Sequence, residues 1–452
     1  MSVISTAELQ ALDKAYVWHP FTQMQDWCAE EQLVIERGSG VWLYDSDGNR
    51  YLDGVASMWT NVHGHCHPVL SQALADQAGR LEHSTLLGLA SEQSILLAKQ
   101  LVERSPERLT RVFYSDNGST AMEVALKMAY QYQCHRGEPQ RSCFIRLEHA
   151  YHGDTIGAMS IGGISIYHDT FKPLLFDTVA APAPYCYRCS LGCQVEHCQM
   201  ACVSALEDKI RANRDRVAGV VLEPCLQGAG GMIVHPRGYL SAVRALCDRY
   251  DVLLILDEVA TGFGRTGSLF ACDQESVEPD IMAISKGLCA GYLPLAVTMA
   301  SEAVYQAFYA PYASLKTFFH GHTFTGNPLA CAVALASLTL FDETNLLESV
   351  QERSLSLGQK LERFRSHPHV GDIRQIGLAA GIELVRDRES KEPFPWEEKI
   401  GVRISQAARR HGVFTRPLGN TLVLFPPLCI SEEELTFMVD GIYQALIDSL
   451  GG

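Results

Sequence analysis

Two residues, Asp257 and Lys286, are the first from which chemistry can be argued, because each stands at the end of a short apolar run. Asp257 closes Val252-Leu253-Leu254-Ile255-Leu256, and an acid at the end of a buried strand must be paired or must serve a ligand. A protonated pyridine nitrogen is one such cationic partner, and the carboxylate would keep that ring an effective electron sink. Lys286 follows the run from Asp280 to Ser285. The edge of a buried cleft depresses a lysine pKa enough for the amine to form and exchange an imine. A lone lysine is ordinarily a solvated surface group, so Lys286 gains its weight from the acid that precedes it. The pair is what pyridoxal phosphate requires.

Two further segments follow predicted strands. Ser115-Asp116-Asn117-Gly118-Ser119-Thr120 is a Gly/Ser turn that opens a helix, offering backbone N–H groups and a positive dipole end to a phosphate. Read alone, this signal is weak and an ordinary capped turn is the favoured reading. Glu148-His149-Ala150-Tyr151-His152-Gly153-Asp154 brings an aromatic ring to the same sheet edge. Tyr151 either stacks on a flat cofactor or packs in the core with its hydroxyl satisfied.

The elements that must position these residues read as alternating strands and helices. Candidate strands run over Arg111 to Ser115, Cys143 to Leu147, Val217 to Glu223, Val252 to Asp257 and Asp280 to Ser285. Such near-continuous apolar runs suit a parallel sheet covered by helices on both faces, with ligands beyond the carboxyl ends of the strands. Thr120 to His135 places Met122, Ala125, Met128, Ala129 and Tyr132 on one helical face, and Thr120 with Glu123 fits a capping box. From about Ala336 the pattern changes to a long helical stretch, a strand region from Gly377 to Val385, another helix and a last strand at Thr421 to Phe425. The predicted class is α/β. A large domain over 63–335 has a mostly parallel sheet, and a smaller α+β domain is built from 336–452 together with the N-terminal segment 1–62.

Composition bounds the rest. The 452 residues, 47% hydrophobic, are enough for a large core in two or more lobes. Lys plus Arg number 37 against 52 Asp plus Glu, and a formal net charge of −15 repels phosphate backbones and acidic membrane surfaces. Neither nucleic acid nor membrane is an expected partner. With no basic and apolar leader and no apolar run of membrane-spanning length, the expected setting is the cytoplasm. There the 15 cysteines are expected to be mostly reduced thiols. Cys186, Cys189, Cys193, Cys198 and Cys202 form a cluster, read first as a loop of reduced thiols with a structural metal or disulfides as open alternatives, and no metal is assigned.

With Asp257 and Lys286 in place, two longer segments carry a resemblance. Asp257-Glu258-Val259-Ala260-Thr261-Gly262-Phe263-Gly264-Arg265-Thr266-Gly267 and Gly321-His322-Thr323-Phe324-Thr325-Gly326-Asn327-Pro328 closely resemble the class III aminotransferases of fold type I. The likeness covers nearly the whole chain. Trp18-His19-Pro20-Phe21-Thr22, Trp59-Thr60-Asn61-Val62-His63-Gly64, Tyr151-His152-Gly153-Asp154-Thr155 and Thr415-Arg416-Pro417-Leu418-Gly419 narrow it to a branch that aminates 8-amino-7-oxononanoate to 7,8-diaminononanoate in biotin biosynthesis. The resemblance implies that Gly118 and Ser119 hold the cofactor phosphate, Tyr151 covers the ring, Asp257 pairs with the pyridine nitrogen and Lys286 carries the cofactor as a Schiff base. It implies that Thr323 reaches the phosphate from a neighbouring subunit, so that a homodimer with shared active sites is needed. Phe21, Met58, Trp59, Gly321 and Arg416 would line the substrate pocket, with the Arg416 guanidinium on the distant carboxylate of the keto acid. Arg265 and Asp154 are expected to pair in support.

Departures from the pattern matter for the amino donor, which is S-adenosylmethionine or L-lysine. Phe21 stands where the best-known branch has a tyrosine, and Met58 where it has the first of two tryptophans, which favours lysine. Val423 replaces an arginine carried by relatives acting on ornithine or 4-aminobutyrate, which lowers the reading as another omega-aminotransferase acting on a diamine or omega-amino acid. A mutase or decarboxylase using the same Asp257 and Lys286 pair, and a non-catalytic cofactor-binding protein, are the remaining alternatives.

Overall fold

The computed structural model describes residues 4–451, without the side chain of Glu196. Near the N-terminus β1 (Ile35–Ser39), β2 (Trp42–Asp45) and β3 (Arg50–Asp53) form an antiparallel meander. The central sheet then takes β4 (Leu109–Ser115), β5 (Cys143–Leu147), β6 (Val179–Ala181) and β7 (Val217–Leu222). A two-stranded ribbon, β8 (Leu226–Gln227) with β9 (Ile233–Val234), interrupts it. The sheet is completed by β10 (Leu253–Asp257), β11 (Ile281–Ile284) and β12 (Ala296–Ser301).

Seven strands lie in the order β4-β12-β11-β10-β7-β5-β6. β12 is antiparallel to both of its neighbours, and the remaining pairs are parallel. The sheet is mostly parallel, as expected, with β12 as its one reversed strand. Because β12 reverses direction twice over, β4 still points the same way as β11. The carboxyl ends of β4, β5, β7, β10 and β11 consequently share one edge. β12 lies outside the expected strands, although Ala296–Ser301 is fully apolar apart from Thr298 and Ser301; Thr298 Oγ1 donates to Ala121 O at 2.8 Å.

Leu254, Ile255 and Leu256 are wholly buried, as a strand covered on both faces requires. Each contributes roughly 1.5–3 kcal/mol by its burial. The helix Gly118–His135 packs Met122, Val124, Ala125, Met128 and Ala129 against one face. Its capping box differs from the expected one: Asn117 Oδ1 accepts from Thr120 N–H at 3.1 Å, and Thr120 Oγ1 accepts from Asn117 N–H at 3.1 Å. Glu123 instead accepts from the N–H groups of Gly157 and Ala158, a tertiary use that local spacing cannot reveal.

The helix Pro328–Glu343 buries Cys331, Val333, Leu338 and Phe341 and leads to the C-terminal elements. These are β13 (Val370–Ile376), β14 (Ala379–Asp387), β15 (Glu392–Pro393), β16 (Val413–Phe414) and β17 (Thr421–Leu424). β14 is flanked by β13, β15 and β17, while β16 pairs in parallel with β3 and so joins the N-terminal meander to the C-terminal part. Among the described residues no single helix is long and apolar enough to cross a membrane.

Candidate active site

A cleft of about 640 Å³ opens at the shared edge, lined among others by Met58, Trp59, Gly118, Ser119, Tyr151, Asp257 and Lys286. Local backbone strain presents several of these groups. Ala56, Ser57 and Trp59 all have positive φ, and so does Lys286 at 42°. Non-glycine residues hold such angles only where the surrounding packing over-determines them. Trp59 is fixed by its ring stacking on Phe425, centroids 5.1 Å apart, and by Gly228, where a Cβ would stand 2.9 Å from the indole.

Lys286 Nζ lies 4.9 Å from the centre of the Trp59 ring. Burial holds its pKa below the ordinary lysine value, against the opposing pull of Asp257 and Glu223. An amine kept closer to neutrality is a better nucleophile, which is the property expected of it. Asp257 lies on the neighbouring strand, and its two oxygens are occupied: Oδ2 by His152 Nδ1 at 2.7 Å, Oδ1 by the N–H of Val259 at 3.0 Å. His152 Nε2 is buried without a partner.

Glu223, at the end of β7, accepts from Tyr151 N–H at 3.1 Å and Gly228 N–H at 2.9 Å, and burial raises its pKa to about 7. Neither His152 nor Glu223 was among the expected site residues. The reasoning that singles out Asp257, an acid ending a buried apolar strand, applies equally to Glu223. His152 shows its importance only when the fold brings it to Asp257.

Gly118 and Ser119 begin an 18-residue helix, where free N–H groups and the helix dipole favour an anion. A Cβ at Gly118 would stand 2.7 Å from Val259 Cγ1, so glycine is needed for this close approach. Tyr151 donates its hydroxyl to Asp154 at 2.8 Å, and burial together with that bond raises its pKa.

Phe21 and Arg416 stand outside the lining of the cleft but beside each other, with Arg416 Nη2 3.4 Å from Phe21 O. The Phe21 ring meets Tyr167 at 5.3 Å, and Tyr167 meets Tyr151 at 6.1 Å, so these aromatics lead from the cleft to the guanidinium. Gly321 and Thr323 are exposed and take no part in the lining. The expected pairing of Arg265 with Asp154 is absent. Arg265 is buried, donates to Leu378 O at 2.9 Å and Pro426 O at 2.8 Å, and lies 3.7 Å over the Phe425 ring. It braces the ring on which Trp59 stacks, because the C-terminal strands cover it and Asp154 stays at the surface.

Known proteins share this architecture. The family Aminotransferase class-III matches residues 24–446. The chain belongs to the class III aminotransferases. It is 56% identical over 448 residues to adenosylmethionine-8-amino-7-oxononanoate aminotransferase of Geobacter sulfurreducens, covering 99% of both chains. The crystal structure of the adenosylmethionine-8-amino-7-oxononanoate aminotransferase of Methanocaldococcus jannaschii superimposes with a TM-score of 0.94 at 43% identity, over 99% of this chain and 100% of that one. An (S)-enantioselective omega-transaminase from Thermomicrobium roseum also gives 0.94, at 38% identity and full coverage of both chains.

The aminotransferase is thus of fold type I and uses pyridoxal phosphate. Its cleft fits that cofactor: a buried amine, a buried carboxylate on the next strand and a glycine-opened helix N-terminus converge on one space.

Proposed function

We propose that this aminotransferase converts 8-amino-7-oxononanoate to 7,8-diaminononanoate in biotin biosynthesis. The full-length likeness to relatives named for that substrate carries the reading. Bound pyridoxal phosphate supplies an electron sink and carries the amino group between donor and acceptor. Lys286 attaches the cofactor; once freed, it takes a proton from the amine-bearing carbon of the donor and returns one to the acceptor. Asp257, held by His152 and Val259, keeps positive charge on the pyridine nitrogen. Gly118 and Ser119 bind the phosphate, and Tyr151 covers the ring. Gly321 and Thr323, exposed in a single chain, serve the cleft of a second copy, so the working unit is a homodimer. Its setting is the cytoplasm, where 15 cysteines in one chain stay mostly reduced. The small domain comprises 1–62 with 336–452 around a large domain of 63–335, a division supported by the β3–β16 pairing.

The direct test incubates the pyridoxamine-loaded enzyme with 8-amino-7-oxononanoate. Formation of 7,8-diaminononanoate is expected; turnover of simple omega-amino acids instead would favour an ordinary omega-aminotransferase, the reading suggested by the Thermomicrobium roseum structure.

Arg416 and Trp59 are the keto-acid contacts in this scheme. Arg416→Ala removes a charge-assisted fork worth on the order of 1.5–3 kcal/mol, roughly ten- to a hundredfold in KM for the keto acid with kcat little changed. Unchanged KM would take Arg416 out of the site.

For the donor, L-lysine is favoured over the adenosylmethionine that the relatives' names carry. Phe21 lacks a hydroxyl, and Met58 offers no flat indole to a sulfonium or adenine. Two missing contacts of about 1–3 kcal/mol each change preference by orders of magnitude. In single-turnover conversion of the pyridoxal form at matched subsaturating concentrations, lysine is expected to react faster. Faster reaction with S-adenosylmethionine reverses the donor and leaves the aminotransferase intact.

A further inference from the structure

Between the cleft and Arg416 the wall is aromatic, and one of its hydroxyls is uncommitted. Tyr151 donates its own to Asp154 at 2.8 Å, and Phe21 has none. Tyr167, half-buried, stands between these two rings, edge-on to Phe21 at 5.3 Å and to Tyr151 at 6.1 Å. Among the described residues its hydroxyl meets no protein partner.

The backbone fixes this ring in place. The N–H groups of Tyr167 and His168 both donate to Ile164 O, at 3.0 and 3.2 Å, closing the short helix Ser165–His168. His168 is buried against Gly162, where a Cβ would collide with the imidazole, so the helix cannot swing away without unpacking that ring. Gly163 N–H donates to Ala150 O at 2.7 Å and His149 N–H to Gly163 O at 3.2 Å, which ties the segment to the backbone that presents Tyr151. A ring already ordered by packing loses little entropy when its hydroxyl takes a ligand.

Burial holds the Tyr167 hydroxyl above the ordinary tyrosine pKa; the Arg416 guanidinium draws it down and, more weakly, Asp154 adds to the rise. The phenol is therefore a neutral O–H donor near pH 7. Arg416 is joined to the same wall through Nη2 and Phe21 O at 3.4 Å, and its other donors have no protein acceptor among the described residues. Two kinds of donor are thus left open on either side of Phe21, a combination that suits an anion.

We propose that Tyr167 is a specificity-determining residue whose hydroxyl donates to the distal carboxylate of the keto acid, the same group that Arg416 holds. This rests on the reading of Arg416 as the carboxylate contact. A carboxylate offers about four acceptor sites and a guanidinium fork fills two, so a phenolic O–H adds to the fork without competing with it. An acceptor that lacks the carboxylate leaves both donors unpaired, and the site discriminates against it.

Tyr167→Phe tests this, because it keeps the ring and both edge contacts and removes one oxygen. Its KM for 8-amino-7-oxononanoate is expected to rise about tenfold, with kcat, melting temperature and cofactor absorption unchanged. The comparison is 2-amino-3-nonanone, the same acceptor with a methyl group in place of the carboxylate. Wild type and variant should share one KM for it, or one Ki where it only inhibits. An unchanged KM for the keto acid, or a rise common to both acceptors, would overturn the proposal while leaving the substrate reading intact. Wild-type enzyme that leaves 8-amino-7-oxononanoate unreacted would remove that substrate reading, and this proposal with it.

Discussion

Lys286→Ala is expected to lose the borohydride-reducible link between protein and cofactor and to fall in turnover by on the order of 10⁴-fold, the upper end for a general acid–base group. In its proposed role the residue combines two tasks. Its Nζ is buried against Trp59, and burial keeps the amine below its ordinary pKa, so it can attack an aldehyde and later accept a proton. Removing it leaves a space in the cleft without disturbing the sheet, because β11 ends at Ile284. The variant should therefore fold and bind the cofactor non-covalently. A reducible link retained at the same site, or turnover within tenfold of wild type, would sink the assignment.

Asp257→Asn is expected to slow turnover by about 10²–10³-fold, or about 2.7–4 kcal/mol, the scale of losing one preorganised electrostatic contact in a closed site. The amide has the shape of the carboxylate and can still accept from Val259 N–H, so folding should be largely intact. What it cannot supply is the negative charge that the proposed role of Asp257 requires. His152 then becomes informative: it donates to Asp257 at 2.7 Å and has no other partner, so its part is to hold the carboxylate in place. An Asn variant with normal turnover and an unshifted cofactor absorption would remove Asp257 from this role.

Much of the site could be read from residue order. Each of Gly118, Tyr151, Asp257 and Lys286 follows a short apolar run, and the physics of a buried strand makes such a run recognisable without knowing its neighbours. Since ligands gather beyond strand carboxyl ends, the same runs indicate which residues face one another. Glu223 obeys that logic, but its strand carries no second chemical signal.

Other features depend on contacts between distant segments. The reversed β12 sits between β4 and β11, an arrangement set by pairing energy across the sheet and not by its own composition. Arg265 and Asp154 carry opposite charges within family-like motifs, yet their charge says nothing about where each is buried. The C-terminal strands enclose Arg265 against Phe425 and backbone carbonyls, where cation and hydrogen-bond donors are satisfied together. Residue order alone determined the α/β class, the strand ends and the placing of Asp257 and Lys286 at two of them, because hydrophobic period and residue chemistry are local properties. Only the tertiary structure decided that His152 supports Asp257, that Trp59 rests on Phe425 and that the cysteine coil bridges β5 and β14, because each of these is a contact between segments far apart in the chain.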